Sequence, residues 1–235
     1  MILKVNAMYL DEALEDGFKI KTPSGDATIE ILYIGDLVLS SGQIVASDPF
    51  LISGTAPFED SVEPGKYPII LSIAHIEEDE RIALATVQFS KRKPERWRMA
   101  TTAKPSSRRY TEYGQVTIVE GIYDHIVDYG CSSFADFELA SWIAQKMAEN
   151  DAYIYKLTER MQENYRNTRE WAVVHPNPAS ELDIALFSSG GGDGSYHSFW
   201  GLAGEETVCL TTDFQMFEPF FTKENKDFEV TLYSG

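Results

Sequence analysis

Carboxylates at the ends of apolar, β-patterned runs are the residues of this chain best placed to do chemistry. Four stand out: Asp48 in Ser47-Asp48-Pro49, Asp128 in Val127-Asp128-Tyr129-Gly130-Cys131, Asp193 in Gly190-Gly191-Gly192-Asp193-Gly194-Ser195-Tyr196, and Asp213 in Thr211-Thr212-Asp213-Phe214. Carboxylates that converge from several strand ends can hold a hard cation, or divide general acid and general base work. The turn around Asp193 adds glycines, which adopt φ > 0 and let other groups approach the main chain closely. Gly191, Gly192 and Gly194 could therefore offer backbone N–H groups to a ligand, with Asp193 and Tyr196 beside them. The competing expectation is a plain strand-to-strand loop in which Asp193 bonds its own backbone, since aspartate is common in turns.

Spacing excludes the familiar motifs. The glycine-rich stretch lacks the Gly-Lys-Ser/Thr ending of a phosphate-binding loop, and Ser195 occupies the last glycine position of a Gly-x-Gly-x-x-Gly turn. It has neither the repeated acids of an EF-hand nor a serine flanked by glycines. His75, His125, His175 and His197 show no metal-ligand spacing, so a zinc site is not expected, and no cofactor motif assigns a cofactor. Cys131 and His125 could form a thiolate–imidazole pair. No third member can be named, and a buried, inert cysteine is the expected reading.

The elements that must position these residues are mostly strands. Ile29–Ile34, Asp36–Leu39, Gln43–Ala46, Tyr67–Ala74, Arg81–Phe89, Gln115–Val119, Trp171–Val174, Leu182–Phe187, Tyr196–Leu202, Thr207–Thr212 and Phe228–Tyr233 carry apolar and β-branched patterns between turn residues. Ser41-Gly42 predicts a tight hairpin. Glu77-Glu78-Asp79-Glu80 predicts a charged turn, and Pro68 belongs at a strand start or edge. From Phe134 to Asn150, Leu139, Ile143 and Met147 recur with helical spacing, and a second helix or continuation follows over Asp151–Arg166. Ser132 or Ser133 would cap the first helix. The fold expected is α+β: a predominantly antiparallel β-sheet or sandwich with a helical insertion at about residues 133–166, in one domain spanning 1–235.

The charge narrows the function. The net charge is −17, which argues against a nucleic-acid partner and for steering of basic partners. Between Lys91 and Arg109, eight basic residues face the single acid Glu95, a local +7 that leaves −24 on the remainder. This segment reads as a solvated loop or strand edge or as an anion-docking patch. Two cysteines far apart indicate reduced thiols. The N-terminus lacks a secretory pattern, and no apolar run suffices to span a membrane. A cytoplasmic location follows as the expectation.

Several segments, in order, resemble an uncharacterised bacterial family, domain-of-unknown-function family 4241. They are Leu39–Pro49, Pro64–Pro68, Trp97–Ala100, Val127–Cys131, Ser189–Tyr196 and Asp213-Phe214. The resemblance implies one domain over most of the chain and no particular activity. Two function classes stay open. One is an acidic binding protein without catalysis, such as an immunity-type protein that neutralises a basic toxin. The other is a metal-dependent or acid/base enzyme using the strand-end aspartates around the glycine-rich turn.

Overall fold

The period-two patterns resolve into strands, and a continuous apolar run marks the strand covered on both faces. The structure, a computed structural model, describes residues 8–22, 25–102, 108–112, 115–119 and 125–217. A short helix, α1 (Met8–Glu12), precedes β1 (Lys19–Thr22), β2 (Gly25–Leu39), β3 (Ile44–Ser47), β4 (Gly65–Ile76) and β5 (Asp79–Gln88). Then come β6 (Arg96–Met99), β7 (Arg108–Glu112), β8 (Gln115–Val119), β9 (His125–Val127) and β10 (Cys131–Asp136). Helices α2 (Phe137–Glu149) and α3 (Tyr153–Thr158) follow, then β11 (Trp171–Val174), β12 (Ile184–Ser188), β13 (Gly194–Ala203) and β14 (Glu206–Asp213).

All pairings are antiparallel. The large sheet runs β1-β2-β4-β5-β14-β13-β6, with β9 also pairing β13; the small sheet runs β11-β12-β10-β3; β7 and β8 form a separate hairpin. The two larger sheets face each other. Leu37, Leu71, Val87, Trp200 and Leu210 of the large sheet share one core with Ile44, Phe134 and Phe187 of the small one. The opposite face of the small sheet, through Val45, Ala135, Ile184 and Leu186, packs on Leu139 and Ile143 of α2 and Ile154 and Leu157 of α3. In β12, Ala185 and Phe187 therefore point to one layer and Ile184 and Leu186 to the other. Each fully buried Leu, Ile, Val or Phe among them is worth roughly 1.5–3 kcal/mol relative to exposure. Helix α1 covers the outer face of the large sheet, with Tyr9, Leu10 and Ala13 packed in a cluster with Ile29, Ile76 and Leu84. The chain is thus an α+β protein built mainly on antiparallel sheets.

Three local expectations are corrected. Residues 131–136 form a central strand of the small sheet, so the helical segment starts at Phe137, and its cap is Asp136. Asp136 Oδ1 accepts the Glu138 N–H at 2.8 Å; Phe134 is claimed by the inter-sheet core rather than by the helix face. Second, Ser41-Gly42 is not a hairpin. β2 pairs β1 and β4, whereas β3 pairs β10, so the chain crosses from one sheet to the other at this turn. Both the N–H and the hydroxyl of Ser41 donate to Asp136 Oδ2 at 2.9 Å, fixing the corner. Third, only Tyr153–Thr158 of the second helical stretch is α-helical; Glu159–Asn164 tightens to 3-10 geometry.

Other expectations hold. The charged turn expected over Glu77–Glu80 is present but shorter: Glu77-Glu78 form a tight hairpin in which Ile76 pairs with Asp79 and Glu77 adopts φ 55°, while Asp79 and Glu80 begin β5. Pro68 sits where β4 pairs β2 but not yet β5, so its missing N–H breaks no ladder bond to β5. The basic segment supplies β6 at the edge of the large sheet; Arg92 pairs with the segment's own Glu95, and acids from elsewhere meet the rest: Glu206 on Arg92, Glu15 on Lys93 and Asp60 on Arg98. The strand expected at Phe228–Tyr233 lies outside the described residues.

Candidate functional site

Asp48 follows β3 directly and caps the 3-10 turn Pro49–Leu51, with proline in the first helical position, where no N–H is required. Its carboxylate is fully buried. Oδ1 accepts the Phe50 N–H at 2.8 Å, while Oδ2 accepts the N–H groups of Asp128 at 2.9 Å and Tyr129 at 3.0 Å. The next N–H in the chain, that of Gly130, donates to Asp193 Oδ1 at 2.9 Å. Three consecutive backbone donors of the β9–β10 loop are therefore held by two carboxylates from different parts of the fold. Gly130 has φ 64°, a left-handed conformation that glycine adopts without steric cost. Burial pushes the Asp48 carboxyl above the usual aspartate range; the three N–H groups pull it back, and the neighbouring Asp128 charge adds to the rise.

The glycine-rich turn is tied to the same loop and largely to itself. Ser189 N–H donates to Gly130 O at 3.1 Å. Gly192 O accepts the Ser189 hydroxyl at 2.8 Å and the Tyr196 hydroxyl at 2.7 Å, while Arg81 donates to Gly190 O at 3.3 Å. Gly190 has φ 54°, and a Cβ there would lie 2.7 Å from Phe214 Cβ, so close packing and backbone conformation both demand glycine. Gly191 has open space around it, Gly192 adopts φ 109°, and Gly194 begins β13 opposite Val127 of β9.

The four aspartates thus divide. Asp48 and Asp193 meet at the 128–130 loop, which Asp128 itself begins. Asp213 is held elsewhere: it ends β14 opposite His197 and accepts the Tyr9 hydroxyl of α1 and, at 2.8 Å, the Gln215 N–H. Burial raises the Asp213 carboxyl, opposed by the bonds from Tyr9 and Gln215 and by the charge of His197. Among the described residues, no three of His, Cys, Asp and Glu gather as a set able to hold a metal ion.

Cys131 and His125 do not form a pair. His125 Nε2 lies 2.9 Å from Ser132 Oγ, and Cys131 packs in the helix-side core. Burial, reinforced by the charges of Asp48, Glu170 and Asp193, holds the Cys131 thiol far above its ordinary value, which makes it a poor nucleophile.

Aromatic rings flank the clamped loop. Tyr129 stacks on Phe50 with centroids 4.3 Å apart, and Tyr155 of α3 meets Phe50 edge-on at 5.1 Å. Tyr129 and Tyr155 remain 55% and 58% exposed, respectively, which makes this an open aromatic surface rather than a core. Sequence reasoning missed Phe50, Tyr155, Arg81 and Tyr9. Asp-Pro after a strand was a readable capping signal for the turn that carries Phe50, whereas nothing local marks the other three.

The arrangement defines an antiparallel two-sheet α+β protein whose strand-end carboxylates organise a loop at one end of the fold. The chain belongs to the family described as Protein of unknown function (DUF4241), whose model matches residues 37–212. That span contains Asp48, Asp128 and Asp193, whereas Tyr9 and Asp213 fall outside it. No curated protein and no solved structure matches the chain. No helix among the described residues is long and apolar enough to cross a membrane.

Proposed function

We propose that this chain is a cytoplasmic, acidic binding protein without catalysis, acting as one domain, that engages a basic protein partner in the manner of an immunity-type protein. The observation that carries this reading is the use of Asp48 and Asp193. Their oxygens accept consecutive N–H groups of residues 128–130, so they shape and stiffen a surface loop instead of facing a substrate. A net charge of −17 supplies long-range attraction for a cationic partner and none for nucleic acid.

The test is partner identity together with salt dependence. The chain is cross-linked in its own cells, the partner is identified, and the affinity of the purified pair is measured at low and at several-fold higher ionic strength. A basic partner whose affinity falls about tenfold or more with salt is expected, because exposed charges are screened within roughly 10 Å at 0.1 M. An acidic partner, or an affinity indifferent to salt, overturns the reading. Calcium and magnesium titrations followed by thermal unfolding are expected to leave Tm unchanged; a saturable rise would instead favour a metal-dependent site.

A further inference from the structure

We propose that the aromatic surface formed by half-buried Phe50 and the exposed Tyr129 and Tyr155, with exposed Asp128 next to Tyr129 in the chain, is the docking face for an arginine-bearing segment of the basic partner. This rests on the binding-protein reading above and gives it a place and a chemistry.

Phe50 and Tyr129 form a stacked pair, and Tyr155 closes on Phe50 at a steep angle of 69°. The two tyrosines keep more than half of their surface open. The ring contacts contribute about 0.5–1.5 kcal/mol each to the fold, and the surface that the two tyrosines leave open offers a ring face to an incoming flat cation. A guanidinium stacks on such faces and is the commoner cation in these contacts.

Charge selects the same occupant. Asp128 precedes Tyr129 and is exposed; its N–H is held by Asp48, and its carboxylate carries no hydrogen bond or ion pair among the described residues. Asp193, also exposed, anchors the loop from the other side. The segments 47–55 and 126–136 contain no lysine or arginine. The nearest base in sequence to the tyrosines is Lys156, one position beyond Tyr155 and so about 100° around the helix from it. An arginine stacked on Tyr129 would find Asp128 one residue away.

The geometry is also prepared in advance. Three successive N–H groups around Tyr129 are tied to carboxylates, so the ring is presented without ordering the loop on binding. Avoiding that cost improves affinity.

The experiment uses the full chain and a fluorescein-labelled peptide of alternating arginine and glycine, followed by fluorescence anisotropy. Tyr129→Ala is expected to weaken binding about three- to fivefold, the range of an exposed cation–π contact, and Tyr129→Phe to stay within about twofold. Asp128→Asn should weaken it to a similar degree. Glu205→Gln makes the same charge change in the β13–β14 turn, about 30 Å along β13 from Gly194, and should change binding less than about twofold. Circular dichroism checks that each variant is folded.

Salt-sensitive peptide binding that ignores Tyr129→Ala and responds equally to Asp128→Asn and Glu205→Gln overturns the docking face and leaves the basic-partner reading standing. No peptide binding even at low salt overturns both. Concentration-dependent dimerisation by light scattering, abolished by Tyr129→Ala, would assign the face to a second copy of the chain and overturn the proposal as well.

Discussion

Replacing Asp48 is the sharpest perturbation of the clamped loop, because one buried side chain serves three backbone donors. In Asp48→Asn the amide oxygen can take only one of the two roles. The better arrangement keeps the oxygen on the N–H groups of Asp128 and Tyr129 and turns the NH2 toward the Phe50 N–H, where a donor meets a donor. One charge-assisted bond is then lost and one N–H of the 3-10 turn is left unsatisfied, a cost of about 1.5–3 kcal/mol. Neutralising a carboxylate whose charged form burial already disfavours offsets a little of this. Asp48→Ala removes all three bonds and the cap; its cost should reach about 3–5 kcal/mol, a large share of the roughly 5–15 kcal/mol that holds a typical fold.

Urea unfolding at neutral pH, read by tryptophan fluorescence, measures the loss; with an m-value of about 1–3 kcal/mol/M, Asp48→Asn should lower the midpoint by about 1 M. Hydrogen exchange localises it: the residue 50 amide should lose protection in Asp48→Asn, and those of residues 50, 128 and 129 together in Asp48→Ala. Asp193→Asn is the comparison: its amide oxygen can still accept the Gly130 N–H, so the cost should stay below about 1 kcal/mol. An Asp48→Asn penalty under about 0.5 kcal/mol, or unchanged protection at residues 128 and 129 in Asp48→Ala, would refute the idea that Asp48 builds this loop.

Two further outcomes are expected. Gly190→Ala should destabilise by more than about 2 kcal/mol, because its Cβ would fall 2.7 Å from Phe214 Cβ at a φ of 54°, while Gly191→Ala, in open space, should stay within about 0.5 kcal/mol; equal midpoints in denaturant would count against this account of the turn. Burial raises the Asp213 carboxyl, so its contribution to stability is full below the ordinary aspartate range and is lost as pH rises through the raised value. The stability of the wild type relative to Asp213→Asn should therefore fall as pH rises above about 4, and Tyr9→Phe should cost more on the alkaline side of that fall, where its acceptor is charged, than on the acid side; flat profiles in denaturant titrations from acid to alkaline pH would sink both.

Much of the sheet structure was legible because short apolar, β-branched runs between turn residues are a local signal. Ile184–Phe187, Trp171–Val174 and Thr207–Thr212 each carry an apolar run bounded by turn residues, and each is a strand. What escaped is set by distant partners. Phe134 begins the stretch expected to be helical, yet it stands five residues before Leu139, about 140° around a helix from it, and the facing sheet claims it for β10. Ser41-Gly42 has hairpin chemistry, yet a carboxylate 95 residues away, Asp136, turns it into a sheet-to-sheet corner. Glycine there is required for another reason: a Cβ would lie 2.1 Å from Val62 O. The aspartates were recognisable as a set of strand-end carboxylates, but which of them would meet depended on the order of strands.

That dependence bears on how a carboxylate's role is decided. An aspartate has about four acceptor sites, and what occupies them determines whether it is available to a substrate. Asp48 has given three to the main chain and is sealed from water, so its charge is committed to the fold. Asp193 has given one oxygen to Gly130 and stays at the surface. Asp128 contributes its N–H to the assembly while its carboxylate faces solvent, next to a tyrosine held in place by the same bonds. The gradient runs from buried structural acid to exposed free acid within one loop cluster. Activity that depends on Asp48 should therefore follow stability, whereas binding that depends on Asp128 should change without it. Measuring both properties on both variants separates a residue that builds the surface from one that uses it.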